Sequence, residues 1–318
     1  MTRNLLLAVT LCTGAAVLPP VARAAESMPS ASAPAAAPAP PPTPRALLFA
    51  EGDLIATYRR LGALLDLYLR FRYRLYDSKS DAFAENYVGA GIVSQTSPVF
   101  SQNGLYIEVA PTAFLRVTAG YEMVWYLGLF NSALVLQDCN LDLPAADPRC
   151  NFDVPILPRP ANAVGDVGHR VWVSTRLRAK VGPIIVADTF NVERWWWRPN
   201  WAGGPDAFWY NEMHYLPQER ADTALTNNGS LLYEVLPDRG GTHPHVLIGV
   251  DDRLAYAVGT TYLTHRVGLI GIYRLPELGS LRDVAAVALV EWYTNDRYKV
   301  GPIPFVGLVV AAATPNLL

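Results

Sequence analysis

From Leu65 to Tyr76 the chain reads LDLYLRFRYRLY, and its two sets of alternate positions are chemical opposites. Leu65, Leu67, Leu69, Phe71, Tyr73 and Leu75 are apolar or aromatic, while Asp66, Tyr68, Arg70, Arg72, Arg74 and Tyr76 fill the places between them. A repeat of two marks a β-strand, whose successive side chains leave on opposite faces. Two architectures accept such a strand. A soluble sandwich buries the apolar face in protein and leaves the arginines in bulk water; a membrane barrel sets the apolar face in lipid and the arginines in a wet interior.

The N-terminal text bears on that choice. Arg3, the apolar run Leu5–Leu18 and the small-x-small site Ala22-Arg23-Ala24 read as an export signal over residues 1–24. Residues 25–45 are rich in Ala and Pro and read as a disordered or polyproline-like linker. Residues 46–60 read as a short lead-in segment, helical or irregular, ahead of a β-domain over 61–318. Export places Cys139 and Cys150 in an oxidising compartment, where ten intervening residues allow a disulfide; two free thiols are the alternative. A metal site there lacks a neighbouring His or third Cys.

Composition removes other classes. Charged residues are 17% and hydrophobic residues 51%, whereas soluble domains carry roughly a quarter charged residues. After the signal, no apolar run reaches the span of about 18 residues that a crossing helix needs. A net charge of −2 gives no sign of nucleic-acid binding.

Beyond Leu61 the alternation recurs. The segments expected as strands are Leu65–Tyr76, Leu105–Ala110, Leu115–Trp125, Val171–Val181, Ile184–Trp197, Phe208–Tyr215, Ser230–Leu236, His245–Val250, Leu254–Leu263, Val267–Leu275, Val284–Tyr293 and Ile303–Ala312. Tight turns are expected near Pro111–Ala113 and at Gly182-Pro183, with long polar inserts over 77–103, 131–168 and 198–228. Export signal, proline-rich lead, alternating segments and aromatic-rich strand ends together resemble a Gram-negative outer-membrane β-barrel protein. The resemblance implies an all-β fold of about 12 antiparallel strands with short periplasmic turns and long outer loops. It further implies residence in the outer membrane, with membrane lipids and the barrel-assembly machinery as partners. The chain departs from the pattern at its end, Pro315-Asn316-Leu317-Leu318, where many such barrels finish on an aromatic residue.

The arginines then set the orientation. An Arg facing lipid at midplane costs roughly 2–4 kcal/mol, so three on one face of one strand must point away from it. Strand parity gathers Asp66, Arg70, Arg72, Arg74, Glu108, Arg116, Glu122, Arg176, Arg178 and Lys180 on the inner side as lumen-lining residues. Two consequences stand open. The charges either form a satisfied ladder that fills the barrel or line a passage favouring small polar, anionic solutes. Trp125, Tyr126, Trp172, Trp195, Trp196, Trp197, Trp209, Tyr210, Trp292 and Tyr293 read as an interfacial girdle, with Trp196 turned inward if its neighbours belong to it.

Catalysis finds little support. Outer-membrane phospholipases carry a His-x-Ser-Asn-Gly stretch, and Thr226-Asn227-Asn228-Gly229-Ser230 lacks that His–Ser arrangement. His243-Pro244-His245 offers two imidazoles without a third ligand, and His214 is the histidine to test first. No catalytic residue, metal or cofactor is assigned. The expected function is therefore a porin-like channel; a closed structural or surface-binding barrel and a membrane lipid hydrolase are the alternatives.

Overall fold

The computed structural model describes residues 44–317 apart from residues 59–61, 79, 84, 128–134, 137–164, 199–207, 212, 238–243, 276–278 and 297–302. The expected export signal, the linker to Thr43, Cys139 and Cys150 lie outside the described residues. Among the described residues there are fifteen strands: β1 (Ala46–Tyr58), β2 (Gly62–Arg74), β3 (Tyr87–Thr96), β4 (Phe100–Thr112), β5 (Leu115–Leu127), β6 (Val135–Leu136), β7 (Gly165–Val181), β8 (Ile184–Trp197), β9 (Phe208–Asn211), β10 (Leu216–Gln218), β11 (Ala221–Leu236), β12 (His245–Ala257), β13 (Tyr262–Arg274), β14 (Arg282–Asn295) and β15 (Phe305–Ala313). Twelve of them close a barrel in the order β1-β15-β14-β13-β12-β11-β8-β7-β5-β4-β3-β2, and β10-β9-β6 form a separate small sheet.

Every wall pairing is antiparallel, and the seam runs from Glu51↔Ala313 to Tyr58↔Val306. Beyond the last pair, Thr314 Oγ1 accepts from the Ala50 N–H (2.9 Å) and Asn316 Oδ1 from the Leu48 N–H (3.0 Å). Closure leaves no free strand edge, so each wall strand finds backbone partners on both sides. We call the end where β1 begins and β15 finishes basal, and the other distal. Gly182 at φ 59° supplies the left-handed backbone that the two-residue basal turn before β8 needs. The two longest connections, 128–164 and 198–220, are both distal.

Side-chain alternation separates the two surfaces. On β4 the outward Ile107 is 65% exposed and its neighbour Glu108 only 2%. Leu65, Leu67, Leu69, Phe71 and Tyr73 are exposed on the outside of β2, while Asp66 is buried inside. With no second layer of protein over it among the described residues, the outer apolar face has the character of a wall solvated by acyl chains.

Several elements differ from the sequence reading. Ala46–Tyr58 is a wall strand rather than a lead-in. Its period of two is masked because Leu47, Leu48 and Phe49 are all apolar, and Phe49 faces inward beneath Arg72. The supposed insert 77–103 contains β3 and the start of β4, and the insert 198–228 contains the start of β11. The tight turn falls at Ala113-Phe114, one step beyond the Pro111–Ala113 reading. Phe208–Tyr215 belongs to no wall strand; it carries β9, which pairs with β10 through Asn211↔Leu216 and with β6 through Trp209↔Val135.

Candidate functional site: the barrel interior

The distal half of the interior is packed with aromatic side chains. Phe100, Val124, Tyr126, Trp195, Trp197, Ala224, Ala257 and Tyr262 on the wall surround Trp209, Tyr210 and Leu216 from the small sheet, forming one buried cluster. The ring centroids of Trp197 and Trp209 lie 5.0 Å apart at an interplanar angle of 75°, an edge-to-face arrangement. The 213–215 turn reaches two separate parts of the wall: the Gln102 amide of β4 meets Met213 Sδ, and Tyr215 packs on Phe305 of β15 at 5.6 Å. Tyr215 itself holds φ 59°, a conformation that a non-glycine residue adopts at a cost of about 1–3 kcal/mol. The small sheet is thus a plug seated in the distal mouth.

This placement corrects the girdle. Tyr126, Trp195, Trp197, Trp209, Tyr210 and Tyr293 are buried inside, and Trp172 turns inward as well. Trp196 faces outward, stacked on His169 at 5.4 Å, which reverses the alternation expected at Trp195–Trp197. Glu193 shares parity with Trp195 and Trp197, but Asp188 and Arg194 of the same strand have the opposite parity, so the charges of β8 alone do not reveal its orientation.

Below the plug lie three charge clusters. Arg170, on β7, donates from Nε and Nη2 to Glu193 (3.1 and 2.7 Å) and from Nη1 to Glu122 (2.9 Å). The indoles of Trp172 and Trp195 donate to the same two carboxylates at 2.8 and 2.9 Å, and His214 Nε2 of the plug lies 2.7 Å from Glu193 Oε2. A second cluster joins Arg253 to Asp251 (2.6 Å) and Glu291 (3.0 Å), with Arg266 Nη1 3.3 Å from Glu291. In the third, Arg70 lies 2.5 Å from Glu51 and 3.4 Å from Glu108, while Arg72 Nε donates to Glu108 at 2.8 Å. Charge pairs of this kind hold the wall strands to one another across the interior.

The remaining sequence-selected residues take varied positions. Asp66 is buried against Gln95 at 3.2 Å, and Arg74 lies 3.5 Å from Asp77 at the basal rim. Lys180 donates to Glu234 at 2.8 Å, with His245 Nε2 2.9 Å from the same carboxylate. Arg116 and Arg176 stand directly opposite each other on β5 and β7, with Arg178 two residues on. None of these three forms an ion pair among the described residues, although Arg116 lies over the Tyr87 ring at 5.8 Å. Like charges placed directly opposite destabilise a sheet. Sequence parity selected Arg70, Glu108, Glu122 and Arg176 but not Glu51, Glu193, Asp251, Arg253, Arg266 or Glu291, whose strands were misread or less regular.

No protein-family model matches the chain, and no curated protein does. Among solved structures, the chain is similar to a KdgM porin in complex with disordered oligogalacturonate (9% identity, 84% of this chain and 98% of that chain, TM-score 0.36). It is also similar to the β-domain of the Bordetella autotransporter BrkA (11%, 86% and 100%, TM-score 0.40) and to OmpT, an outer-membrane protein of Vibrio cholerae (8%, 85% and 98%, TM-score 0.32). Likenesses this distant carry no functional argument. The architecture of this chain stands on its own pairing: a closed antiparallel barrel of twelve strands, apolar outside and charged within, as in the Gram-negative outer-membrane β-barrel proteins that its sequence resembles.

Proposed function

We propose that the protein is an outer-membrane channel of the porin kind for small anionic solutes, with a basic vestibule at its basal end and a plug in its distal mouth. Arg116 and Arg176, opposed across β5 and β7 and without an ion pair among the described residues, carry this reading. A barrel that needed only stiffness would hold each of them in a direct carboxylate ion pair, as it does Arg170. Cations left facing each other on an inner wall are instead suited to a mobile anion. Solute passage requires the plug to shift, and the plug shares no strand pairing with the wall.

A second reading has its own support. The apolar plug and the saturated cluster around Glu193 also suit a closed structural or surface-binding barrel. Conductance in planar bilayers separates the two. A variant lacking 208–218 is expected to conduct with anion preference, and Arg116→Glu with Arg176→Glu in that background to reverse it. Folded variants that carry no current, plugged or unplugged, would establish the closed barrel.

A further inference from the structure

The outer wall carries polar pairs at several places, Asp188 with Asn227 and Ser94 with Asn103 among them, and at one sector a line of three groups of complementary chemistry. Asp252, His265 and Thr294 lie on β12, β13 and β14 at positions whose neighbours Val250, Val267 and Trp292 face outward. Asp252 Oδ1 is 3.1 Å from His265 Nε2, and Thr294 Oγ1 is 2.6 Å from His265 Nδ1. Carboxylate, imidazole and hydroxyl therefore stand in one hydrogen-bonded line. The local register arranges it: pairing passes from Arg266↔Tyr293 to His265↔Asn295, which leaves Thr294 as the extra residue of a β-bulge beside the histidine. Bulges re-aim side chains in this way next to active sites. Polar groups on a lipid-facing wall are costly, so a hydrogen-bonded set of three calls for a reason.

A second feature lies on the same outer face. An apolar cavity of about 250 Å³ opens between β12, β13, β14 and β15, bordered by Ile248, Gly271, Ala286, Ala288 and Leu308. Gly271 is six residues basal of His265, or about 20 Å along the strand. A Cβ at Gly271 would meet nothing within 4 Å, so the space beside it is open. His265 is the fourth residue of β13 and Thr294 the penultimate residue of β14, which puts the polar trio near the distal strand ends and the cavity deeper in the wall.

We propose that this sector is an acyl-ester hydrolase site that takes long-chain lipids from the surrounding leaflet, with the ester at Thr294 and the acyl tail running down to the cavity. It is independent of the channel reading, since none of its residues faces the interior. Neutral His265 donates from Nε2 to Asp252 and accepts the Thr294 hydroxyl proton at Nδ1. Thr294 Oγ attacks the ester carbonyl carbon as that proton passes to His265, and Asp252 stabilises the imidazolium. Collapse of the tetrahedral intermediate breaks the bond to the alcohol oxygen, which leaves with the proton from His265, and the acyl group remains on Thr294. Water then attacks the acyl-threonine, giving its proton to His265; the fatty acid departs and Thr294 Oγ recovers its hydrogen.

The test uses the refolded full barrel in detergent with two substrates, a diacyl phospholipid and purified lipopolysaccharide, and measures free fatty acid. We expect release from one of them and an adduct at Thr294 after treatment with a long-chain fluorophosphonate. Thr294→Val and His265→Asn should each lower the rate at least a hundredfold, and Thr294→Ser, which keeps a hydroxyl, should still form the fluorophosphonate adduct at position 294. Asp252→Asn should lower kcat at least tenfold with KM unchanged. Gly271→Leu should raise KM for long but not short acyl chains, which a purely structural role of the trio would not produce. Heat-modifiable migration verifies that each variant is folded. No fatty acid from either substrate, together with no adduct at Thr294 in the folded wild type, would overturn the proposal.

Discussion

Glu193 shows how much a single interior carboxylate does. Arg170, Trp195 and His214 converge on it, so it ties β7 and β8 to the plug at once. Glu193→Gln preserves the shape and removes the charge, leaving Arg170 with Glu122 alone. Losing one member of a buried ion cluster costs about 3–5 kcal/mol, so the urea midpoint of the variant should fall clearly below that of the wild type. An unchanged midpoint would mean that water already solvates the cluster. At this scale the sequence exposed what strand parity can expose: Arg70, Arg72 and Arg74 share a face because their spacing within β2 is even. The trio Asp252, His265 and Thr294 was not legible, since only register across three strands brings it together. A signal existed all the same, in polar residues at the parity of lipid-facing neighbours.

At the scale of the strand, the wall predicts opposite costs at adjacent positions. Ile107→Arg sets a cation in the outer apolar band and should lower stability by about 2–4 kcal/mol if that position lies near the bilayer midplane. Thr118→Arg, on the inner face of β5 beside Glu108, should cost far less, as read from unfolding in phospholipid vesicles. Strand β3 was missed because YVGAGIVSQT carries two glycines, which read as loop. In the barrel they make room: a Cβ on Gly91 would sit 2.3 Å from the Tyr106 hydroxyl, and one on Gly89 2.7 Å from the Phe71 carbonyl. Gly91→Ala should therefore push Tyr106 off Arg70 and loosen the pairing of β3 with β4. Faster amide exchange at the Gly91–Tyr106 pair, relative to the seam, would register it. Strand β12 was legible only in part, because Asp251-Asp252-Arg253 interrupts its alternation with charges on both faces.

At the scale of the whole molecule, a count of twelve was reached by errors that offset one another. The sequence reading omitted β1 and β3, counted the plug segment as wall, and divided the text of β12 and β13 into three pieces. Architecture survives such errors because orientation, rather than number, is what alternating chemistry encodes. The plug was less accessible still: Trp209, Tyr210 and Leu216 look like the text of a strand, and only the closed wall around them gives them an interior to fill. The central claim is that the apolar set of positions faces acyl chains and the charged set faces the interior. Spin labels placed singly at Leu65 through Leu75 in the reconstituted barrel test it most directly. Accessibility to oxygen, which partitions into lipid, should be high at Leu67, Leu69, Phe71 and Tyr73 and low at Tyr68, Arg70 and Arg72, with a period of two. High accessibility to a water-soluble nickel chelate at Leu67, Leu69 and Phe71 would contradict it, because the apolar face would then be exposed to water and not to lipid.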